Sequence, residues 1–105
     1  MKDKNYILQL IKKSVSSTEP NAILILYGSY ARGDFRVDSD LDLLVLIDKE
    51  IITRFDQKRI KYPLYDIEFD TGTIISALIF SKKDWGMNHR ITPFYENVVR
   101  EGRIL

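Results

Sequence analysis

The chain has 105 residues, of which 45% are hydrophobic and 30% are charged, and its formal net charge is +1. This length fits one globular domain covering residues 1–105, and the composition excludes a disordered chain and a strongly basic nucleic-acid-binding protein. The sequence has no cysteine, no signal peptide and no apolar run long enough to cross a bilayer, so we expect a cytoplasmic protein without disulfides or thiolate metal sites.

A helix and a strand are predicted at the beginning of the chain. Residues 4–16 repeat apolar side chains at helical spacing, and Asp3 precedes them as a candidate cap. The run AILILY, residues 22–27, is wholly apolar and typical of a strand buried on both faces. Gly28 then ends this strand.

A second strand is predicted from residue 40 onward, where the character of the side chains alternates. The alternation places Leu41, Leu43, Val45 and Ile47 on one face, and Asp40, Asp42, Leu44 and Leu46 on the other. The strand is therefore acidic only at its beginning.

Residues 50–71 favour a helix, because their apolar side chains recur at helical spacing. Within them, LYDIEFD, residues 64–70, alternates like a strand but equally fits a last helical turn closed by Gly72. Residues 73–80, TIISALIF, form the third predicted strand.

Two further helices are predicted near the end of the chain. Ser81 and Asp84 have the spacing of a capping box that opens a short helix. Thr92 and Pro93 start a final helix that stops before Gly102. Because helices and strands alternate, the predicted fold class is α/β or α+β, a sheet covered by helices.

A Gly-Ser pair stands at the turn after the first strand. Gly28 can adopt a positive φ and lets a ligand approach the backbone closely. If residues 29–32 begin a short helix, their free N–H groups and the Ser29 hydroxyl form an anion site suited to phosphate. Taken alone, such a pair is usually only a turn.

Asp40 and Asp42 point the same way from one predicted strand, about 7 Å apart along it. Carboxylates, phosphate oxygens and waters are the ligands that Mg²⁺ prefers, so the pair predicts a metal site beside the phosphate. The alternative is a solvated turn in which the aspartates of VDSD accept local hydrogen bonds. An EF-hand is excluded because Leu43 and Lys49 stand where Gly and Glu are required.

The segment GSYARGDFRVDSDLDLLV, residues 28–45, joins the two pairs across ten residues and describes a site for a nucleoside triphosphate and a metal. It resembles the nucleotidyltransferase superfamily that shares its palm with the polymerase-β-like enzymes, and most closely the minimal nucleotidyltransferase (MNT) proteins. The end of the chain, PFYENVVREGRIL, also looks like the end of that family. The resemblance implies a nucleotidyltransferase palm, a small mixed β-sheet flanked by helices.

The resemblance also implies a reaction and roles for the site residues. Gly28 and Ser29 would hold the triphosphate of ATP, and Asp40 and Asp42 would bind Mg²⁺. An acceptor hydroxyl would attack the α-phosphate, which transfers a nucleoside monophosphate, expected to be AMP, and releases pyrophosphate.

Active members of the superfamily carry a third carboxylate on a later strand, but residues 73–80 contain no acid. If residues 64–70 are a strand, Asp66 is the first candidate to complete the catalytic site, ahead of Glu68 and Asp70. If residues 64–70 are helical, these acids would cap the helix, form ion pairs with lysines or face solvent. Without a third acid, catalysis could be impaired while nucleotide and metal still bind.

Other charged residues have two interpretations. Arg32 and Arg36 lie between the halves of the motif, where they can reach phosphate oxygens or merely balance Asp34 and Asp38. We count Arg32 among the candidate nucleotide-binding residues. His89, the only histidine, is interpreted as a surface residue because no second ligand accompanies it.

MNT proteins are often paired with a helical HEPN protein, a toxin that they neutralise by adenylylation or by binding. The resemblance therefore implies a HEPN-type partner and an antitoxin role. The alternative is a catalytically weak module that acts through complex formation. Association with a further copy of the chain stays open, and no membrane or nucleic-acid partner is expected.

Overall fold

Helices and strands alternate along the chain in the computed structural model, which describes residues 4–34, 36 and 39–105. In chain order the elements are α1 (Lys4–Thr18), β1 (Ile23–Tyr27), α2 (Gly28–Arg32), β2 (Leu41–Ile47), α3 (Arg54–Thr71), β3 (Ile75–Ser81), α4 (Lys82–Asn88), α5 (Pro93–Glu101) and β4 (Arg103–Ile104). Every predicted helix and strand is present, whereas β4 was not predicted. Asp3, the candidate cap of α1, lies outside the described residues.

The four strands form one mixed sheet in the order β3-β2-β1-β4. Strand β1 is antiparallel to both β2 and β4, and β2 is parallel to β3. The beginning of β2, the beginning of β3 and the end of β1 therefore lie side by side along one rim of the sheet, the edge that is formed by strand ends. Among the described helices, none has the length and apolar character needed to cross a membrane.

The predicted alternation of β2 is confirmed, because its two sets of side chains belong to different apolar clusters. Leu41, Leu43, Val45 and Ile47 pack with the buried side chains of α1 and α3. Leu44 and Leu46 pack on the other face with Trp85 of α4 and Val98 of α5. Asp42 shares this second face, which α1 and α3 do not cover.

Helix α3 begins at a capping box and ends at a glycine. The Thr53 hydroxyl accepts the Asp56 N–H at 3.1 Å, and the Asp56 carboxylate accepts the Thr53 N–H at 3.0 Å. At the other end, the Gly72 N–H donates to the Glu68 carbonyl at 2.8 Å. Residues 64–70 are thus helical, and the strand interpretation of LYDIEFD is excluded.

Asp56 ties the beginning of α3 to the rest of the molecule. Its carboxylate is 4% exposed and accepts a hydrogen bond from Lys49 Nζ at 2.6 Å. The hydrogen bond from Lys49, followed by that from the Thr53 N–H, holds the pKa of Asp56 well below its usual range. Because the depressed pKa belongs to the folded state, the ionised carboxylate stabilises the fold above about pH 4, and this contribution is lost as the pH falls further.

We predict that Asp56→Asn lowers the free energy of unfolding at pH 7 and flattens its pH dependence between about pH 4 and pH 2. Urea unfolding at a series of pH values measures both effects. Glu50→Gln is the control, since the Glu50 side chain is 84% exposed. Equal acid sensitivity in Asp56→Asn and the wild-type chain would contradict the assignment.

Candidate functional site

Gly28 and Asp42 make a close approach at the edge of the sheet. Gly28 starts α2 with a φ of 76°, a conformation that favours glycine. A Cβ atom at this position would overlap the Oδ2 atom of Asp42 and would lie 3.2 Å from its Cγ atom. The turn therefore requires glycine both for its backbone angle and for the carboxylate lying against it.

The strand register places three side chains on the same face of the sheet at this edge. Tyr27 of β1 is paired with Asp42 of β2, and Asp42 is paired with Ser76 of β3. Directly paired residues on neighbouring strands point to the same face. Ser76 therefore stands beside Asp42 on β3, the later strand.

Asp42 is partly buried and lies in the field of a second negative charge. Burial raises the pKa of Asp42, and the charge of Asp40 raises it further, whereas the charge of Arg32 lowers it. Burial also raises the pKa of Tyr27, with a smaller contribution from the charge of Asp42. Asp40, just before β2, is exposed. The two aspartates are thus close enough to repel each other, which a bound cation would relieve.

Arg32 is held beside this site by two carboxylates. Its Nε atom donates to Asp34 Oδ2 at 3.2 Å, and its Nη1 atom donates to Glu101 Oε2 at 3.3 Å. These two hydrogen bonds, of which the one donated to Asp34 has the larger effect, raise the pKa of Arg32. The predicted balance with Asp34 is therefore present, and Glu101 adds an anchor from α5. Asp38 lies outside the described residues.

The donor chemistry of Asp40 and Asp42 fits Mg²⁺, because this ion takes one or two protein carboxylates and completes its shell with phosphate oxygens and water. A larger protein ligand set is not present: in the described part of the chain, no three His, Cys, Asp or Glu side chains form a group that could hold a metal.

The structure does not bring the acids of residues 64–70 to this pair. Asp66 is exposed on α3, which packs on the face of the sheet opposite to Asp42. Glu68 accepts the N–H of Ile75 at 2.7 Å, so it fixes the start of β3. Asp70 is also exposed on α3. The condition under which Asp66 would complete the site, a strand at residues 64–70, is not met.

His89 is more enclosed than a surface residue. Its Nε2 atom lies 3.0 Å from Asp84 Oδ2, and its ring centroid lies 4.6 Å from that of Phe80 and 5.7 Å from that of Trp85. Hydrogen bonds from Asn88 and then His89 lower the pKa of Asp84. This cluster supports the packing of α4.

Three site residues were missed by the sequence analysis. Tyr27 was assigned only to its strand, although it directly precedes the Gly-Ser pair. Ser76 could have been found from the register of β3 against β2, which the sequence does not give. Glu101 lies 69 residues from Arg32, and no local pattern joins them.

Known protein families include relatives of this chain. A family profile described as nucleotidyltransferase domain matches residues 8–103. Two proteins of Methanocaldococcus jannaschii, both with the provisional name protein adenylyltransferase, are similar in sequence. One is 35% identical over 86 residues, which cover 78% of this chain and 75% of that protein. The other is 35% identical over 79 residues, which cover 72% of this chain and 78% of that protein.

Solved structures share the fold. A protein from Sulfolobus solfataricus with the provisional name nucleotidyltransferase has a TM-score of 0.60 at 19% identity, over 94% of this chain and 76% of its own. A toxin-antitoxin structure with AMP-PNP has a TM-score of 0.56 at 17% identity, over 98% and 72% of the two chains. A toxin-antitoxin MntA-HpeT structure has a TM-score of 0.54 at 18% identity, over 100% and 72%. The expected palm fold is confirmed.

The contact between Gly28 and Asp42 can be tested by a matched pair of glycine substitutions. Gly33→Ala places a Cβ in open space at a φ of 87°, and we expect it to cost about 1 kcal/mol of stability. Gly28→Ala has a similar backbone angle but meets the carboxylate, so we expect a further ~1–3 kcal/mol. Urea unfolding measures the difference.

Combining Asp42→Ala with each glycine substitution gives a double-mutant cycle for the same contact. In the Asp42→Ala background, the excess cost of Gly28→Ala over Gly33→Ala should largely disappear, because the overlapping oxygen is gone. An excess that persists unchanged without the Asp42 carboxylate would show that the two groups do not meet.

Proposed function

Because the chain belongs to the nucleotidyltransferase domain family, we propose that it transfers AMP from ATP to a hydroxyl group of a protein, in a reaction that requires Mg²⁺. The observation that supports this proposal most strongly is the approach of the Asp42 carboxylate to the Gly28 turn, with the charge of Asp40 beside it. A polyphosphate at that turn would face two carboxylates, which repel it unless a cation lies between them.

The proposed reaction forms one bond and breaks one bond at the α-phosphorus of ATP. The acceptor oxygen forms a bond to this phosphorus, the bond to the bridging oxygen breaks, pyrophosphate leaves with the bonding electron pair, and the hydroxyl proton passes to water. Asp40 and Asp42 would hold Mg²⁺, which, when bound, supplies positive charge against the phosphate oxygens. Gly28 and Ser29 would hold the triphosphate, since the glycine backbone leaves room for it.

Arg32 would contribute a fixed positive charge to the same site. Asp34 and Glu101 hold its guanidinium in a defined direction, and its charge already acts on Asp42. An arginine held in this way needs little reordering when a phosphate oxygen arrives. We propose that Arg32 helps to orient the triphosphate.

The names of the relatives support a protein as the acceptor. Two similar proteins are provisionally named protein adenylyltransferases, and two solved structures of the same fold are toxin-antitoxin structures. One of these structures contains AMP-PNP, an ATP analogue. We propose that the acceptor hydroxyl lies on a HEPN-type partner protein and that AMP transfer neutralises this partner as a toxin.

We predict that Asp40→Asn combined with Asp42→Asn abolishes the transfer of label from α-labelled ATP to the proposed HEPN-type partner protein. Calorimetry in the presence of Mg²⁺ should show that the double variant binds ATP about tenfold more weakly or worse. Residues that only hydrogen-bond to metal ligands already change metal affinity by ~10–100-fold, and direct ligands should matter at least as much. Asp48→Asn, an exposed residue at the far end of β2, is the matched control and should behave as wild type.

Two results would refute the assigned site. One is undiminished labelling by the Asp40→Asn, Asp42→Asn variant. The other is ATP binding that a chelator leaves unchanged, because the carboxylates alone would repel the triphosphate.

A second candidate function is a catalytically weak module that works by forming a complex. Ser76 favours this alternative, since an uncharged side chain stands beside Asp42 on the later strand. Such a protein would bind ATP and its partner but would transfer AMP slowly, because no carboxylate of β3 can accept a proton or share the metal.

The Ser76→Asp substitution distinguishes the two functions. If the missing acid limits transfer, Ser76→Asp should raise the rate of AMP transfer by at least about tenfold over Ser76→Asn, which changes the side chain without adding charge. Single-turnover labelling measures both variants. Equal rates would show that a carboxylate at this position does not limit the reaction, and a wild-type rate well above background would then favour the enzyme.

A further inference from the structure

Helix α3 carries apolar side chains on two faces. Its inner face includes Ile60 and Leu64, which are buried in the core. Its other face carries an outer stripe of four aromatic side chains with large exposed fractions: Phe55 (70%), Tyr62 (55%), Tyr65 (50%) and Phe69 (90%). They recur at intervals of three, four and seven residues, so they lie along one side of the helix. A helix that is apolar on both sides is usually covered on both sides.

Exposed charges divide this outer side into two halves of opposite sign. Arg54 and Lys58 lie in the first half of α3, and Asp66 and Asp70 lie in the second half. All four residues are exposed. Three other charged side chains of α3 make contacts elsewhere. Asp56 accepts a hydrogen bond from Lys49, Arg59 donates to Glu19, and Glu68 accepts from the backbone of β3.

This distribution of charge is unfavourable for α3 itself. Basic groups near the beginning of a helix and acidic groups near its end oppose the helix dipole. Arg54 with Lys58 and Asp66 with Asp70 are also like-charged pairs at a spacing of four residues, which destabilise a helix. Opposite charges arriving from another molecule would make the arrangement favourable.

We propose that two copies of the chain associate through the outer stripe of α3, packed antiparallel about a two-fold axis near Tyr62. In this arrangement, residues equally far from Tyr62 in opposite directions come to the same level. Lys58 then lies at the level of the second copy's Asp66, and Phe55 lies at the level of the second copy's Phe69. The basic half of each helix meets the acidic half of the other, as an isologous interface requires.

The surface beside the outer stripe extends the contact area. A groove between α3 and the edge strand β3 is lined by Lys61, Leu64 and Tyr65 on one side and by residues 75–78 on the other. The rings of Tyr62 and Tyr65 already pack against each other, with centroids 6.0 Å apart, so part of the aromatic surface is ordered before association.

The proposed interface does not cover the Asp42 carboxylate, although Ser76 lies both beside Asp42 and in the groove next to the outer stripe. Asp42 lies on the face of the sheet opposite to α3, so a second copy on α3 does not cover it. The inference therefore goes beyond the proposed function and does not depend on it. It also gives Asp66 a role as an interface residue.

Sedimentation equilibrium of the full chain tests the proposal. The wild-type chain of 12.3 kDa should associate to twice this mass as its concentration rises. Lys58→Glu and Asp66→Lys should each weaken association by about tenfold or more, because each turns two symmetric attractions into repulsions. An equimolar mixture of the two variants should associate again, since Glu at 58 then meets Lys at 66 in both contacts.

Two controls separate this interface from charge effects and from the active site. Lys13→Glu makes the same charge change at an exposed position of α1 and should leave association unchanged. Asp40→Asn with Asp42→Asn should also leave it unchanged, whatever its effect on AMP transfer. A monomeric wild-type chain at millimolar concentration would overturn the proposal. So would a mixture of the Lys58→Glu and Asp66→Lys variants that associates no better than either variant alone.

Discussion

The candidate site depends on the close approach of a carboxylate to a strand-ending turn. Asp42 is partly buried, and both its burial and the neighbouring charge of Asp40 raise its pKa. Unless a positive group is present, this arrangement is electrostatically unfavourable. Gly28 allows it sterically, because any side chain at that position would overlap the carboxylate. Such unfavourable groups are typical of a binding or catalytic site rather than of a structural contact.

The sheet topology produces this approach from residues that are close in sequence. Strand β1 ends at Tyr27 and β2 begins at Leu41, and their antiparallel pairing sets Tyr27 directly opposite Asp42. The chain therefore needs only one connection to bring the Gly-Ser turn and the two aspartates to one edge. Arg32 lies within that connection, and Glu101 fixes it from the far end of the chain. The hydrogen bond between Arg32 and Glu101 thus connects the segment between β1 and β2 to α5.

Local patterns were sufficient for much of the fold, and long-range pairing was not. The face of Asp42 could be predicted because the side-chain period of a strand is two, so Leu41 and Leu43 in the core require Asp42 to point the other way. LYDIEFD was ambiguous because its apolar side chains fit both the period of a strand and the period of a helix. In the structure it forms the last turns of α3, which Gly72 caps. β4 is two residues long and has no detectable period. Ser76 beside Asp42 depends on a register that no local pattern contains.

Paramagnetic broadening is the most direct test of the central claim, that Asp40, Asp42 and the Gly28 turn enclose a metal shared with a nucleotide. The experiment records NMR spectra of the ¹⁵N-labelled chain with a non-hydrolysable ATP analogue. Small amounts of Mn²⁺ are added in place of Mg²⁺. We predict that the amide signals of Gly28, Ser29 and residues 40–42 broaden first, and that Asp40→Asn with Asp42→Asn abolishes the effect. Broadening centred elsewhere, for example around Asp66 on α3, would contradict the account.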